Sequence, residues 1–176
     1  MLDVKPFQET LGMGMCGPAT LKMLLMYWDM PGKEKTDIEL SKECGTDPTL
    51  GTTNKQFMET AERFGLMCVY KEWSTFADIE QWLSKGVPIV ADWFSPGRKD
   101  APDGEMPDGH YSIAVGIDEN HIYLQDPELG SMRTIPREQF LRVWFDYSGN
   151  TITEPVEHCM EIRVSIAVYP RSYNLP

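Results

Sequence analysis

The order of periodicities along this chain predicts an α+β fold in one domain: a helical lobe over about 1–86, a sheet lobe over about 87–176, and a cleft between them. Three observations lead there. Apolar residues recur at helical spacing through most of the first half, and short alternating or continuous apolar runs take over in the second. Between them, Ser95 to Gly109 is rich in Pro, Gly and Asp and reads as a long loop. The 176 residues suffice for one buried core, and no internal repeat or low-complexity tract divides them.

The elements follow in order. Pro18 suits the first turn of a helix, where a missing N–H costs nothing. Beyond it Leu21, Leu24, Leu25 and Trp28 repeat at helical spacing, while Met23, Met26 and Tyr27 leave little polar surface. Such a helix is expected to run through the core until Pro31-Gly32 ends it. Thr36 with Glu39, and Thr53 with Gln56, are capping boxes. The first opens a short helix to Cys44; the second opens one carrying Phe57, Ala61 and Phe64, closed by Gly65. Met67 to Trp73 reads as a strand, Thr75 starts a helix with Ile79, Trp82 and Leu83 inward, and Val87 to Phe94 is a buried strand. Tyr111 to Ile117 and His121 to Gln125 form a hairpin through Asp118-Glu119-Asn120. Ile135-Pro136 opens a helix with Phe140, Val143 and Trp144 on one face, and Cys159 to Tyr169 alternates as one closing strand.

Charge and cysteine usage narrow the function classes. Lys and Arg number 16 against 27 Asp and Glu, a net charge of −11 that repels phosphate backbones and anionic lipid. Nucleic acid and membrane are therefore not expected partners, and a cationic peptide is tolerated or attracted. No segment approaches the roughly 20 apolar residues of a membrane span. The opening Met-Leu-Asp-Val-Lys-Pro has no apolar h-region, which argues for a cytoplasmic protein. Cys16, Cys44, Cys68 and Cys159 lie far apart, with no Cys-x-x-Cys pair, and read as isolated thiols. With three scattered histidines they give no zinc spacing, so neither metal nor cofactor is expected.

Thiolate catalysis needs an anionic sulfur, a base within hydrogen-bond reach and donors for a developing oxyanion. Cys16 immediately precedes Gly17-Pro18 and so sits at a helix N-terminus, where unpaired N–H groups favour an anion. Gly17 leaves room for a substrate carbonyl to approach the backbone. Alone, Cys16 could equally be a small buried hydrophobe. His110 lies at the junction of the long loop and a strand, and Asp126, followed by Pro127, ends the partner strand. In a tight hairpin the start of one strand and the end of its partner are adjacent, so Asp126 reaches the His110 ring and holds its tautomer. His121 and His158 are expected to be bystanders; Cys44, Cys68 and Cys159 read as core thiols, and Trp93 and Phe94 could wall the cleft. The loop itself, with Asp100, Asp103, Glu105 and Asp108 against Arg98 and Lys99, is expected to line one side of the cleft and help set specificity.

Gln8, then Cys16-Gly17-Pro18-Ala19 with Leu21, Met23, Leu24 and Tyr27, resembles the nucleophile segment of the bacteriocin-leader, or double-glycine, peptidase family. Gly109-His110-Tyr111 with Val115-Gly116, and Asp126-Pro127 with Gly130, are similar to its histidine and aspartate segments; Phe140 and Trp144 fall where relatives carry an aromatic helix. The resemblance implies a papain-like fold and amide hydrolysis of a peptide or protein through an acyl-enzyme on Cys16. It also implies that the Gln8 amide joins the Cys16 N–H in binding the oxyanion. The chain departs from the best-known members in carrying Met15 where they have an acidic residue, and it has no transporter part, so double-glycine specificity is not implied. Two alternatives remain open: an acyltransferase using the same triad, and a non-catalytic binding protein that kept the fold.

Overall fold

A computed structural model describes residues 1–10, 14–96, 108–147 and 159–176. The elements run α1 (Cys16–Tyr27), α2 (Asp37–Cys44), α3 (Asn54–Arg63), β1 (Leu66–Lys71), α4 (Phe76–Ser84), β2 (Ile89–Ser95), β3 (Asp108–Ile117), β4 (His121–Asp126), β5 (Ser131–Pro136), α5 (Arg137–Val143), β6 (Phe145–Tyr147), β7 (Met160–Ile162) and β8 (Val164–Pro170). Six strands form an antiparallel sheet in the order β1-β8-β2-β3-β4-β5, and β6 pairs with β7 in a small second sheet.

Local chemistry sets the helix starts. Thr36, Thr53 and Thr75 each accept from the N–H three residues on, and Glu39, Gln56 and Asp78 return the bond. A lost cap of this kind costs about 1 kcal/mol. Helix α1 has no polar face to spare: Leu21, Met23, Leu24 and Leu25 are all buried. Truncating one such leucine to alanine removes about 2–5 kcal/mol.

The sheet is buried on both faces. Val90, Tyr111, Ile113, Val115, Ile166 and Val168 pack against α1, α2 and α3 on one side. Ile89, Ala91, Trp93, Ala114, Leu124 and Ala167 pack on the other side with Ile79 of α4 and Phe140 of α5. This is why β2 reads as a continuous apolar run, and why β8, expected to alternate, is buried along nearly its whole length. The sheet draws its edge strand β1 from within the segment expected to form the helical lobe, because β1 pairs with the last strand.

Three expectations are corrected. Ser131–Pro136 is a strand on β4, where the sequence showed only the approach to a helix. Phe145–Tyr147 is a further short strand. The single closing strand is broken at Arg163, whose φ of 50° is left-handed; the break lets β7 leave the main sheet for β6 while β8 enters it between β1 and β2. No helix among the described residues is long and apolar enough to cross a membrane.

Candidate active site

Cys16 is the first residue of α1 and is half-buried. Met15 at the cap gives no side-chain hydrogen bond, so the first N–H groups of the helix are left to other partners. Gly17 owes its missing side chain to a different neighbour than expected: a Cβ there would come within 2.8 Å of Thr52 Cβ. Thr52 therefore fills the space beside the Gly17 Cα.

His110 is near the start of β3, and Asp126 is the last residue of β4. In the β3–β4 register Ile113 faces Gln125, which places Asp126 diagonally from His110 on the same face. His110 Nε2 and Asp126 Oδ1 are 2.8 Å apart. With Nε2 engaged, the other ring nitrogen is left for Cys16, whose Sγ lies within 4.8 Å of a His110 ring nitrogen. Burial pushes the His110 imidazolium toward losing its proton, but the hydrogen bonds to Asp126 and Cys16 outweigh it and hold the group well above its ordinary value. Trp93, opposite His110 on β2, packs edge-on at 5.9 Å.

Asp126 has further support that the sequence did not reveal. It is fully buried, Arg133 on β5 donates to Oδ2, and the Glu128 N–H donates to Oδ1 at 2.9 Å. Arg133 Nη2 also donates to Glu128 Oε2 at 2.8 Å and lies over the Trp93 ring. Burial alone would raise the Asp126 carboxyl; the His110 hydrogen bond and the charges of His110 and Arg133 reverse this and hold it below the usual range.

No described contact joins Gln8, the expected oxyanion donor, to the thiol. Gln8 is exposed, with its aliphatic carbons over Gly130. Its neighbour Glu9 turns inward instead: the Glu9 carboxylate, Cys16 Sγ and a His110 ring nitrogen lie within 4.8 Å of one another. The Glu9 N–H donates to Pro127 O at 2.9 Å, which holds this register beside the Asp126 turn. Glu9, Cys16 and His110 form one donor group that could hold a metal ion, and His110, Asp126 and Glu128 form another. In the second, Arg133 already neutralises both carboxylates.

A cavity of about 310 Å³ opens beside Cys16 and His110, lined also by Asn54, Asp92, Asp108, Tyr111, Asp146 and Glu161. Apart from Asp108, none of these acidic residues was singled out from the sequence, since each lies in a different element. Of the remaining expectations, His121 is half-exposed beside Asp118, and Cys44 and Cys159 are buried. His158 and loop residues 97–107 lie outside the described residues.

The comparisons fit this geometry. The model of the Peptidase_C39 like family matches residues 1–152. No curated protein matches the chain. The peptidase domain of Streptococcus ComA, a bi-functional ABC transporter of a quorum-sensing pathway, superposes with a TM-score of 0.64 at 15% identity, covering 95% of this chain and 99% of that one. A double-glycine-motif protease from an AMS/PCAT transporter, solved with its leader peptide, gives 0.60 at 18% identity, covering 94% and 91%. A C39-like peptidase from Bacillus anthracis gives 0.60 at 16% identity, covering 96% of each chain. The mixed helix and antiparallel sheet is thus the papain-like fold of these domains. The family match spans Cys16, His110 and Asp126 alike: this chain belongs to the Peptidase_C39 like family and is a cysteine peptidase-like hydrolase.

Proposed function

We propose that the chain hydrolyses an amide bond of a peptide through an acyl-enzyme on Cys16. The observation that carries the reading is His110 bonded to the buried carboxylate of Asp126, with Cys16 Sγ within 4.8 Å of a His110 ring nitrogen. The Cys16 sulfur attacks the carbonyl carbon and the carbonyl π electrons move to oxygen, where the Cys16 backbone N–H is the available donor. The tetrahedral species collapses, the C–N bond breaks, and the His110 imidazolium gives its proton to the departing amine. A water molecule then loses a proton to neutral His110 as its oxygen attacks the thioester, the C–S bond breaks, and the acid leaves behind the starting Cys16 thiolate and His110 imidazolium. Asp126 keeps Nε2 protonated and the ring in plane throughout. A peptide substrate is consistent with the structural neighbour solved with a leader peptide.

The test is digestion of a mixed peptide library with products read by mass spectrometry. Cleavage by the wild type that disappears in Cys16→Ala is expected. Equal cleavage by Cys16→Ala overturns the assignment.

A further inference from the structure

Glu9 stands where the hydrolytic mechanism has no use for it. Its carboxylate, Cys16 Sγ and a His110 ring nitrogen lie within 4.8 Å of one another. A negative charge there works against the oxyanion that the reaction forms. The backbone nonetheless fixes this placement. The Glu9 N–H donates to Pro127 O at 2.9 Å. The next residue, Thr10, donates to Asp37 from its N–H at 2.7 Å and from its hydroxyl at 3.2 Å. Asp37 opens α2 and is 3% exposed, so the Glu9 side chain leaves a chain anchored to the Asp126 turn on one side and to α2 on the other.

A thiolate, an imidazole and a carboxylate are the three kinds of side chain that bind zinc, and three protein ligands with a fourth position open is a recurring zinc arrangement. Zinc bonds of about 2.0–2.3 Å set tetrahedral donors about 3.3–3.8 Å apart. The present set, with no pair beyond 4.8 Å, has about 1.5 Å at most to close, within reach of a rotamer change of half-buried Glu9. His110 is prepared for such a bond: Nε2 faces the buried Asp126 Oδ1 at 2.8 Å, Arg133 holds Asp126 in turn, and the second ring nitrogen is left toward Cys16. A carboxylate behind the imidazole is the usual outer partner of a metal-bound histidine, where it fixes the tautomer and raises the basicity of the ligand. The cavity of about 310 Å³ borders Cys16 and His110 and has room for a water as fourth ligand. Sulfur and nitrogen donors select zinc over magnesium or calcium, which take oxygen. The sequence hides this set because its donors come from the N-terminal segment, α1 and β3, with no short spacing to announce them.

We propose that Glu9, Cys16 and His110 form a zinc site that holds the peptidase inactive. Zn²⁺ takes the place of the proton that Cys16 and His110 share, that proton passes to solvent, and neither the sulfur nor the ring nitrogen is left to act. The inactivation rests on Cys16 being the nucleophile; the binding does not. The test uses untagged protein stripped with EDTA, and two readouts. Zinc titration against a chromophoric chelator gives stoichiometry and Kd, and iodoacetamide labelling with mass mapping gives the rate at Cys16. The wild type is expected to take up zinc in a 1:1 ratio with a Kd of about 1 μM or below. Zinc should slow Cys16 labelling by about tenfold or more and EDTA should restore it, while Mg²⁺ at about 1 mM leaves the rate as it was. In Glu9→Gln and in Glu9→Ala the Kd is expected to rise about 10–100-fold, and Cys16→Ser should lose the binding. A wild type that takes up no zinc in this range, or whose affinity both Glu9 variants leave unchanged, overturns the site. The nucleophile is judged apart, on stripped protein: iodoacetamide that modifies another cysteine ahead of Cys16 overturns that assignment, and the zinc titration still decides the site.

Discussion

Asp126 divides its two oxygens between His110 and Arg133: Oδ1 meets the imidazole at 2.8 Å and Oδ2 takes the guanidinium Nε–H, with the carboxylate fully buried. The orienting acid is thus itself held by a residue from the next strand, and Arg133 ties it to Glu128.

Asp126→Asn is expected to lower kcat/KM by about 10³–10⁴, because an amide no longer enforces the imidazole tautomer. It should also lower the melting temperature, since Arg133 loses one of its two buried acids. Steady-state kinetics with a thermal melt checks both. A variant within tenfold of wild type removes Asp126 from the mechanism.

Arg133→Met tests the same carboxylate through pH. The Asp126 carboxyl is depressed in the folded state, so its contribution to stability is present above the unfolded value of about 3.9 and is lost as pH falls through the folded value. Without Arg133 one of the effects opposing burial is gone and the folded value rises. The acid-side midpoints of melting and of activity should both move up. Midpoints that stay put mean that His110 alone holds the carboxylate.

Alkylation separates the thiols. Burial pushes Cys44 up to about 11 and Cys68 up to about 12, and Cys159 is 1% exposed. Iodoacetamide at neutral pH should therefore modify half-buried Cys16 first, with the others following only on unfolding. Mass mapping over a time course gives the order directly.

Glu9 and Gln8 exchange the effects that sequence reasoning would give them. Glu9→Gln removes a negative charge within 4.8 Å of the attacking sulfur and supplies an amide donor, so kcat should rise, by about tenfold. Gln8→Ala truncates an exposed side chain and should leave kcat within about threefold. A loss of about 10² in Gln8→Ala, the usual effect of removing an oxyanion donor, would restore Gln8 to the site.

Gly109→Ala is expected to cost about 1–3 kcal/mol in urea denaturation, because its Cβ meets the Asp146 carboxylate. In an Asp146→Ala background the cost should largely vanish, since the obstructing group is absent. Additive losses would mean that Gly109 is required for some other reason.

The amino-acid order by itself determined what depends on near neighbours. Three threonine caps, the apolar helix behind Cys16 and the hairpin through Asp118 are each specified within a few residues. Because that hairpin is tight, the His110–Asp126 contact across 16 positions was legible as well. Tertiary structure decided whatever required knowing which strands lie side by side. Arg133 reaches Asp126 only because β5 folds onto β4, and β5 carries no alternation to announce itself, with its residues exposed or half-buried. The turn of Glu9 rather than Gln8 toward the thiol depends on a backbone bond to Pro127, a residue more than 100 positions away. The cavity wall joins Asn54, Asp92, Asp146 and Glu161 from α3, β2, β6 and β7, and each alone reads as an ordinary polar residue. Periodicity reports which side of an element is buried; it carries no information on which distant side chains share that burial, and here the sheet order supplies it.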